Sequence, residues 1–306
     1  VALPEPAETV VYPGARRPDR VRSVDSNGLR LAVYEWGDAS ATPMLFHHGG
    51  FDFAGTFDVF APLVADAGYR VVAFDQRGHG DSDHAALYNW PADLRDLKAV
   101  LDSISPEPIA ALGHSKGGSQ LMDLIHALPN RVSHFVNIDG MPARHRQPDV
   151  AEHERTRMVG ETLENWLDWR RRTHGNARKP GTLDELAARR ARMNPRLEAE
   201  WLRYLVTIGA RHDSDGWRWK IDSSMRFGGF GPWRPEWSAL RGPGLAVPML
   251  GIIGTEQEDM GWGATADDLR PFLPRDALLE VIPDTGHFVH IERPHDVVRL
   301  VLEFMA

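Results

Sequence analysis

The feature that most restricts the fold of this chain is an alternation of short, wholly apolar runs with amphipathic segments of helical period. Met44-Leu45-Phe46, Val71-Val72-Ala73-Phe74 and Ile109 to Leu112 are such runs, and Val132 to Ile138 reads as a further strand. Phe57 to Ala67 has helical spacing and stops at Gly68, Ala92 to Ile104 carries Leu94, Leu97, Val100 and Leu101 on one side, and Gly117 to Leu128 follows the third run. A strand that is apolar at every residue, not at every second one, must be covered on both faces, as in a parallel sheet with helices on each side. The order returns near the end as a strand (Val247 to Ile253), a helix (Thr265 to Phe272), a strand (Ala277 to Ile282) and a closing helix (Asp296 to Phe304). Val21 to Val24 and Leu29 to Trp36, joined by Ser26-Asn27-Gly28, read as a leading hairpin. The expected class is α/β, with a mostly parallel, doubly wound sheet.

Residues 141–241 differ from their flanks. They hold 20 of the 35 Lys and Arg, 14 of the 43 Asp and Glu, and seven of the ten tryptophans. The segment is therefore basic within a chain of net charge -8. This predicts an inserted, mainly helical subdomain at 141–241 and a core domain made of 1–140 and 242–306. Its clearer helices are Glu161 to Arg172 and Leu183 to Val206, and Gly216 to Ile221 reads as a short strand or a loop. The runs Arg170-Arg171-Arg172 and Arg189-Arg190 read as solvated helix faces, and Phe227 to Trp233 as a mobile loop over the site.

The absence of cysteine excludes disulfides, thiol nucleophiles and cysteine-ligated metals. The acidic balance argues against nucleic acid as partner. No apolar stretch is long enough to span a bilayer, because the most continuous, Gly244 to Gly254, is short and broken by Pro248. The first residues, Val1 to Pro6, lack a basic start followed by an apolar core, and a cytoplasmic location is the expectation.

Three local patterns carry chemistry. Gly113-His114-Ser115-Lys116-Gly117 is a complete G-x-S-x-G between an expected strand and an expected helix. Small residues on either side let strand and helix approach closely, the serine is lifted above the sheet, and the helix start favours negative charge beside it. Ser115 is the expected nucleophile. His47-His48-Gly49-Gly50 ends an earlier strand, and acyl transfer needs two backbone N–H groups aimed at the developing oxyanion. The expected donors are Lys116 and Gly50, with Phe51 as a further one. His287, after the last strand, stands where a general base must stand in this chain order. His290 and His295 have no acidic partner at ligand spacing, so no metal site is expected.

Together with Asp75-Gln76-Arg77-Gly78-His79-Gly80-Asp81-Ser82 and Glu292-Arg293-Pro294, these residues resemble the α/β-hydrolase superfamily over about 21–140 and 242–306. The resemblance implies that Asp75 and Arg77 tie loops together and that 141–241 is the cap inserted after the sixth strand. It also implies an acid that orients His287. The commonest position, after Val247 to Ile253, holds Gln257, with Glu258 one residue on. The other family position, after the preceding strand, holds Asp139. Asp139 and Glu258 both stay open, with a lean to Asp139.

Phe51, His114, Trp166 and Trp169 are the expected substrate-facing residues, with Trp201 and Trp217 as further aromatic candidates. The expected activity is that of a cofactor-free serine hydrolase acting on a small or medium hydrophobic ester or lactone. Hydrolysis of a carbon–carbon bond, haloperoxidase-like perhydrolysis, and a non-catalytic small-molecule receptor on the same scaffold are the alternatives. Oligomeric state is not legible in the sequence.

Overall fold

The computed structural model describes residues 10–141, 152–173, 175–225, 237–238 and 240–306. The first half of the core runs β1 (Arg20–Asp25), β2 (Arg30–Trp36), β3 (Thr42–His47), α1 (Phe60–Asp66), β4 (Tyr69–Phe74), α2 (Trp90–Ile104), β5 (Ile109–His114), α3 (Lys116–Ala127) and β6 (Val132–Ile138). An insertion follows, with α4 (Glu152–Thr173), α5 (Leu183–Ala191), α6 (Ala199–Gly209) and the small antiparallel pair β7 (Ala210–Asp213) and β8 (Gly216–Trp219). The core resumes with β9 (Met249–Gly254), α7 (Ala266–Leu269), β10 (Leu278–Ile282), α8 (Val289–Glu292) and α9 (Pro294–Met305).

Eight strands form one sheet in the order β1-β2-β4-β3-β5-β6-β9-β10. β1 and β2 pair antiparallel, β2 pairs antiparallel with β4, and every other pairing is parallel. Successive side chains alternate between faces, as the period of a strand requires. Met44 and Phe46 of β3, Val71 and Ala73 of β4, and Ala110 and Leu112 of β5 pack with Phe60 and Val64 of α1 and Val297 and Val301 of α9. Leu45, Val72, Phe74 and Ala111 pack on the other face with Leu97 and Leu101 of α2 and Leu121 and Ile125 of α3. The fold is thus a mostly parallel, doubly wound sheet, in agreement with the sequence. β3 lies between β4 and β5, so the chain reverses its winding direction beside β3. In open α/β sheets, ligands bind outside the carboxyl ends of the strands at such a reversal.

Two helices differ from the sequence reading. Leu183 to Val206 is not one helix: Asn194-Pro195 separates α5 from α6, because proline lacks an N–H and clashes with a preceding helical turn. Phe57 to Ala67 splits into a 3-10 turn at Ala54–Phe57 and α1. Gly216–Trp219 is the short strand β8. The loop expected at Phe227 to Trp233 lies outside the described residues.

Candidate active site

Ser115 stands between β5 and α3 with φ 52° and ψ -123°, a conformation that L-residues rarely adopt. The two flanking glycines explain how the chain reaches it. A Cβ on Gly113 would lie 2.6 Å from the Gly118 nitrogen, and one on Gly117 would lie 2.3 Å from the His47 carbonyl oxygen. Strand, turn and helix therefore pack closer than any side chain permits. The Ser115 amide donates to the Ile138 carbonyl at 2.9 Å, and Ser115 itself is 9% exposed.

His287 reaches the same edge of the sheet from the loop between β10 and α8. Its Nδ1 lies 2.5 Å from Asp139 Oδ2. Asp139 follows β6 and is itself in a left-handed conformation, φ 41°. Its amide donates to the Ile252 carbonyl, which fixes the turn. An imidazole gripped at Nδ1 by a carboxylate keeps Nε2 as a lone pair, which is the state able to accept a proton from a hydroxyl. Glu258 does not meet the ring. Its Oε2 accepts from the His287 backbone N–H at 2.6 Å, and partial burial pushes its carboxyl above the usual range. Gln257 is exposed and donates to the Gly263 carbonyl.

His114, expected to face substrate, does not. Its ring is 1% exposed, its Nε2 donates to the His287 carbonyl at 2.9 Å, and it packs against His287 and His290 with centroids 4.7 and 4.6 Å apart. As the last residue of β5 it points into the layer under the site. Burial holds its imidazole well below the usual histidine range. Trp166 is likewise a packing residue, and Trp169 is half-buried against the same cluster. Trp166 is 5% exposed and meets Tyr88 edge-on at 5.6 Å, while the Trp169 indole N–H donates to the Ser224 carbonyl at 2.6 Å. Phe51 is half-buried and packs against that same cluster. Trp201 and Trp217 are buried in the core of the insertion.

The loop after β3 is held by side chains from two directions. Phe51 has φ 59°, and its N–H donates to His79 Nε2 at 3.2 Å. Gln76 donates from Nε2 to the His48 carbonyl at 2.6 Å and accepts from Lys116 Nζ at 2.8 Å. Lys116 thus presents its backbone at the start of α3 while its side chain runs down to Asp93 Oδ2, 2.6 Å away. Asp75 and Arg77 tie loops together: Asp75 accepts from Ala54 N, Asp81 N and the Tyr34 hydroxyl, and Arg77 forks onto both Asp96 oxygens. Gly50 sits half-buried at the turn between these supports.

The sequence reading missed two groups here. Arg190, taken as part of a solvated face, is 8% exposed and donates to the Phe51 carbonyl at 2.8 Å. Asp52 is 1% exposed and lies 3.4 Å from Arg190. No local pattern marks either one, since the contact spans 138 positions.

A sequence model of the alpha/beta hydrolase fold family matches residues 42–294. The sn-1-specific diacylglycerol lipase ABHD11 of Mus musculus is 26% identical over 277 residues, covering 88% of this chain and 83% of that protein. Epoxide hydrolase A of Mycobacterium tuberculosis (strain ATCC 25618 / H37Rv) is 26% identical over 331 residues, covering 93% of this chain and 97% of that protein. Among solved structures, the thioesterase domain from the curacin biosynthetic pathway superposes with a TM-score of 0.76 at 20% identity, covering 92% of this chain and 99% of that one.

Proposed function

The chain belongs to the α/β-hydrolase fold family, and from that premise we propose that it is a serine hydrolase cleaving small or medium hydrophobic carboxylic esters or lactones. The observation that carries the reading is the pairing of His287 Nδ1 with Asp139 Oδ2, with His114, the residue before Ser115, bonded to the His287 carbonyl. This draws an oriented imidazole to the turn on which the hydroxyl is raised.

In this reading Ser115 Oγ attacks the ester carbonyl carbon and His287 Nε2 takes its proton. Asp139 stabilises the imidazolium. The oxyanion is held by the N–H groups of Gly50 and Lys116, aided by the start of α3. The tetrahedral adduct collapses, and the alcohol leaves with the proton from His287. Water, deprotonated by His287, then attacks the acyl-enzyme, and the acid departs as Ser115 is regenerated. Residues 141–241 act as a cap over this edge. Consistent with that role, α5 and α6 pack against Phe53 and Phe288, which flank the two site loops.

Epoxide opening does not transfer from the mycobacterial relative. Enzymes of this fold that form an ester with an epoxide use a carboxylate at the turn, and this chain has a hydroxyl. Among the described residues no helix is long and apolar enough to cross a membrane.

The test is labelling by a fluorophosphonate probe together with hydrolysis of p-nitrophenyl butyrate. Wild type labels and turns over, and Ser115→Ala does neither while keeping its circular dichroism. Folded wild-type protein that resists the probe would overturn the reading and favour a receptor on the same scaffold.

A further inference from the structure

The last turn of α5 and the connection to α6 each send one arginine out of the insertion, and each grips one loop of the site. Arg190 Nη1 donates to the Phe51 carbonyl at 2.8 Å, and its Nη2 lies 3.4 Å from Asp52 Oδ1. Arg196 Nη2 donates to the Asp284 carbonyl at 2.6 Å, and its Nε meets Glu292 Oε2 at 2.9 Å. Glu292 in turn accepts from the Gly286 N–H through its other oxygen at 2.8 Å. One arm thus ends beside Gly50 and the other beside His287.

The first arm acts on a strained turn. Phe51 takes φ 59°, a conformation that a β-substituted residue does not hold unaided. Its N–H is taken by His79 of the core and its carbonyl by Arg190 of the insertion. Removing Arg190 takes away the charged donor to that carbonyl, and the Gly50 N–H two peptides upstream is free to shift with the loop. The guanidinium also lies over the Phe288 ring, 5.9 Å from its centroid, so it touches the loop of His287 as well. Asp52 is sealed in with it, and Asp52 Oδ2 and Arg190 Nε have no hydrogen-bond partner among the described residues. A buried charge pair of this kind contributes little net stability, whereas it fixes one arrangement in preference to others.

We infer that Arg190 and Arg196 are positioning residues: the insertion assembles the active site by clasping the oxyanion loop with one and the histidine loop with the other. The inference rests on the hydrolase reading above. It makes the insertion a part of the catalytic framework and not only a cover, so a displaced insertion leaves Ser115 in place while its helpers drift.

The experiment uses the full chain with Arg190→Met, Arg196→Met and the double variant, assayed on p-nitrophenyl butyrate. Arg190→Met is expected to lower kcat about 10- to 100-fold, the size of effect that follows misplacement of an oxyanion donor, with KM within about threefold. Fluorophosphonate should still label Ser115 to completion, more slowly. Hydrogen exchange in the peptide containing Phe51 and Asp52 should rise while that of β4 stays unchanged. Arg196→Met, one-third exposed, is expected to fold and to lower kcat about 3- to 10-fold, again with little change in KM. Folded Arg190→Met with kcat within twofold of wild type overturns the inference. If Arg190→Met does not fold, an unchanged kcat in Arg196→Met overturns it. Wild type that resists the probe would reject the hydrolase reading itself, an outcome distinct from labelled variants with normal turnover.

Discussion

Glu258 meets His287 at the backbone: its Oε2 accepts from the His287 N–H at 2.6 Å. Asp139 meets the ring of the same residue, 2.5 Å from Nδ1. The two carboxylates come from the loops after β6 and β9, which are hydrogen-bonded neighbours in the sheet. Their division of contacts predicts unequal effects. Asp139→Asn removes the charge that stabilises an imidazolium and should lower kcat about 10³- to 10⁴-fold. Glu258→Gln keeps an acceptor oxygen for the amide and should lower kcat by no more than about threefold. Equal losses in steady-state kinetics would contradict this division.

Gly117→Ala should damage both stability and turnover. Its Cβ would meet the His47 and His48 carbonyls at 2.3 and 2.6 Å, both backbone atoms that cannot step aside alone. Overpacking of this kind costs about 1–3 kcal/mol. The displaced backbone leads directly into Gly49 and Gly50, so residual activity should fall more than stability does. Urea denaturation alongside ester hydrolysis checks both. An unaltered midpoint would show that the helix start is not so tightly apposed.

The buried ammonium of Lys116 supplies a separate test. Its Nζ lies 2.6 Å from Asp93 Oδ2, and Gln120 Nε2 donates to the same oxygen at 2.9 Å. Lys116→Met leaves that carboxylate short of its nearest cation and should destabilise the fold by about 3 kcal/mol. Adding Asp93→Asn should restore part of the loss. A double variant weaker than both singles added together would contradict the coupling.

Stability should fall as the solution is acidified from neutrality. Burial pulls His47, His79 and His290 down to about 3 and holds His48 and His114 well below their ordinary range. In an unfolded chain these rings titrate near pH 6.5. The unfolded state therefore binds protons that the native state refuses, and this contribution, complete above about pH 6.5, is lost as pH falls toward 3. Asp52, Asp58 and Asp75 act in the opposite sense. Burial raises each to about 6, so their contribution favours the fold below about pH 4 and is lost as pH rises through 6. Five large shifts outweigh three smaller ones, and Tm should drop between pH 7.5 and 4.5. A flat or rising Tm over that interval would refute the balance.

The doubly wound sheet was legible because β3, β4 and β5 each contain an unbroken apolar run, Met44 to Phe46, Val71 to Phe74 and Ile109 to Leu112, a local property that needs no knowledge of partners. The turn at Ser115 was legible for a similar reason, since Gly113 and Gly117 mark a close approach of backbones within five residues. Asp139 and Glu258 could not be ranked from sequence, because the choice depends on which carboxylate the loop geometry turns toward a ring 148 positions from one and 29 from the other. Aromatic content misled at Trp166: a large apolar side chain beside a site is as readily core as pocket wall, and nothing in its spacing tells the two apart. Arg190 shows the converse error. A cation in an arginine-rich helical run reads as solvated, yet α5 turns it inward onto a carbonyl that follows an unrelated strand.

The left-handed kink at Ser115 has a consequence for how this protein could be improved or degraded. Glycine occupies such a conformation freely, so Ser115→Gly should raise the unfolding free energy by about 1 kcal/mol while abolishing any chemistry of the hydroxyl. A position where the molecule would gain durability is thus one whose side chain it cannot surrender. Screens that reward heat resistance alone will drift toward an inert protein, and they should be run with a turnover assay as a second filter.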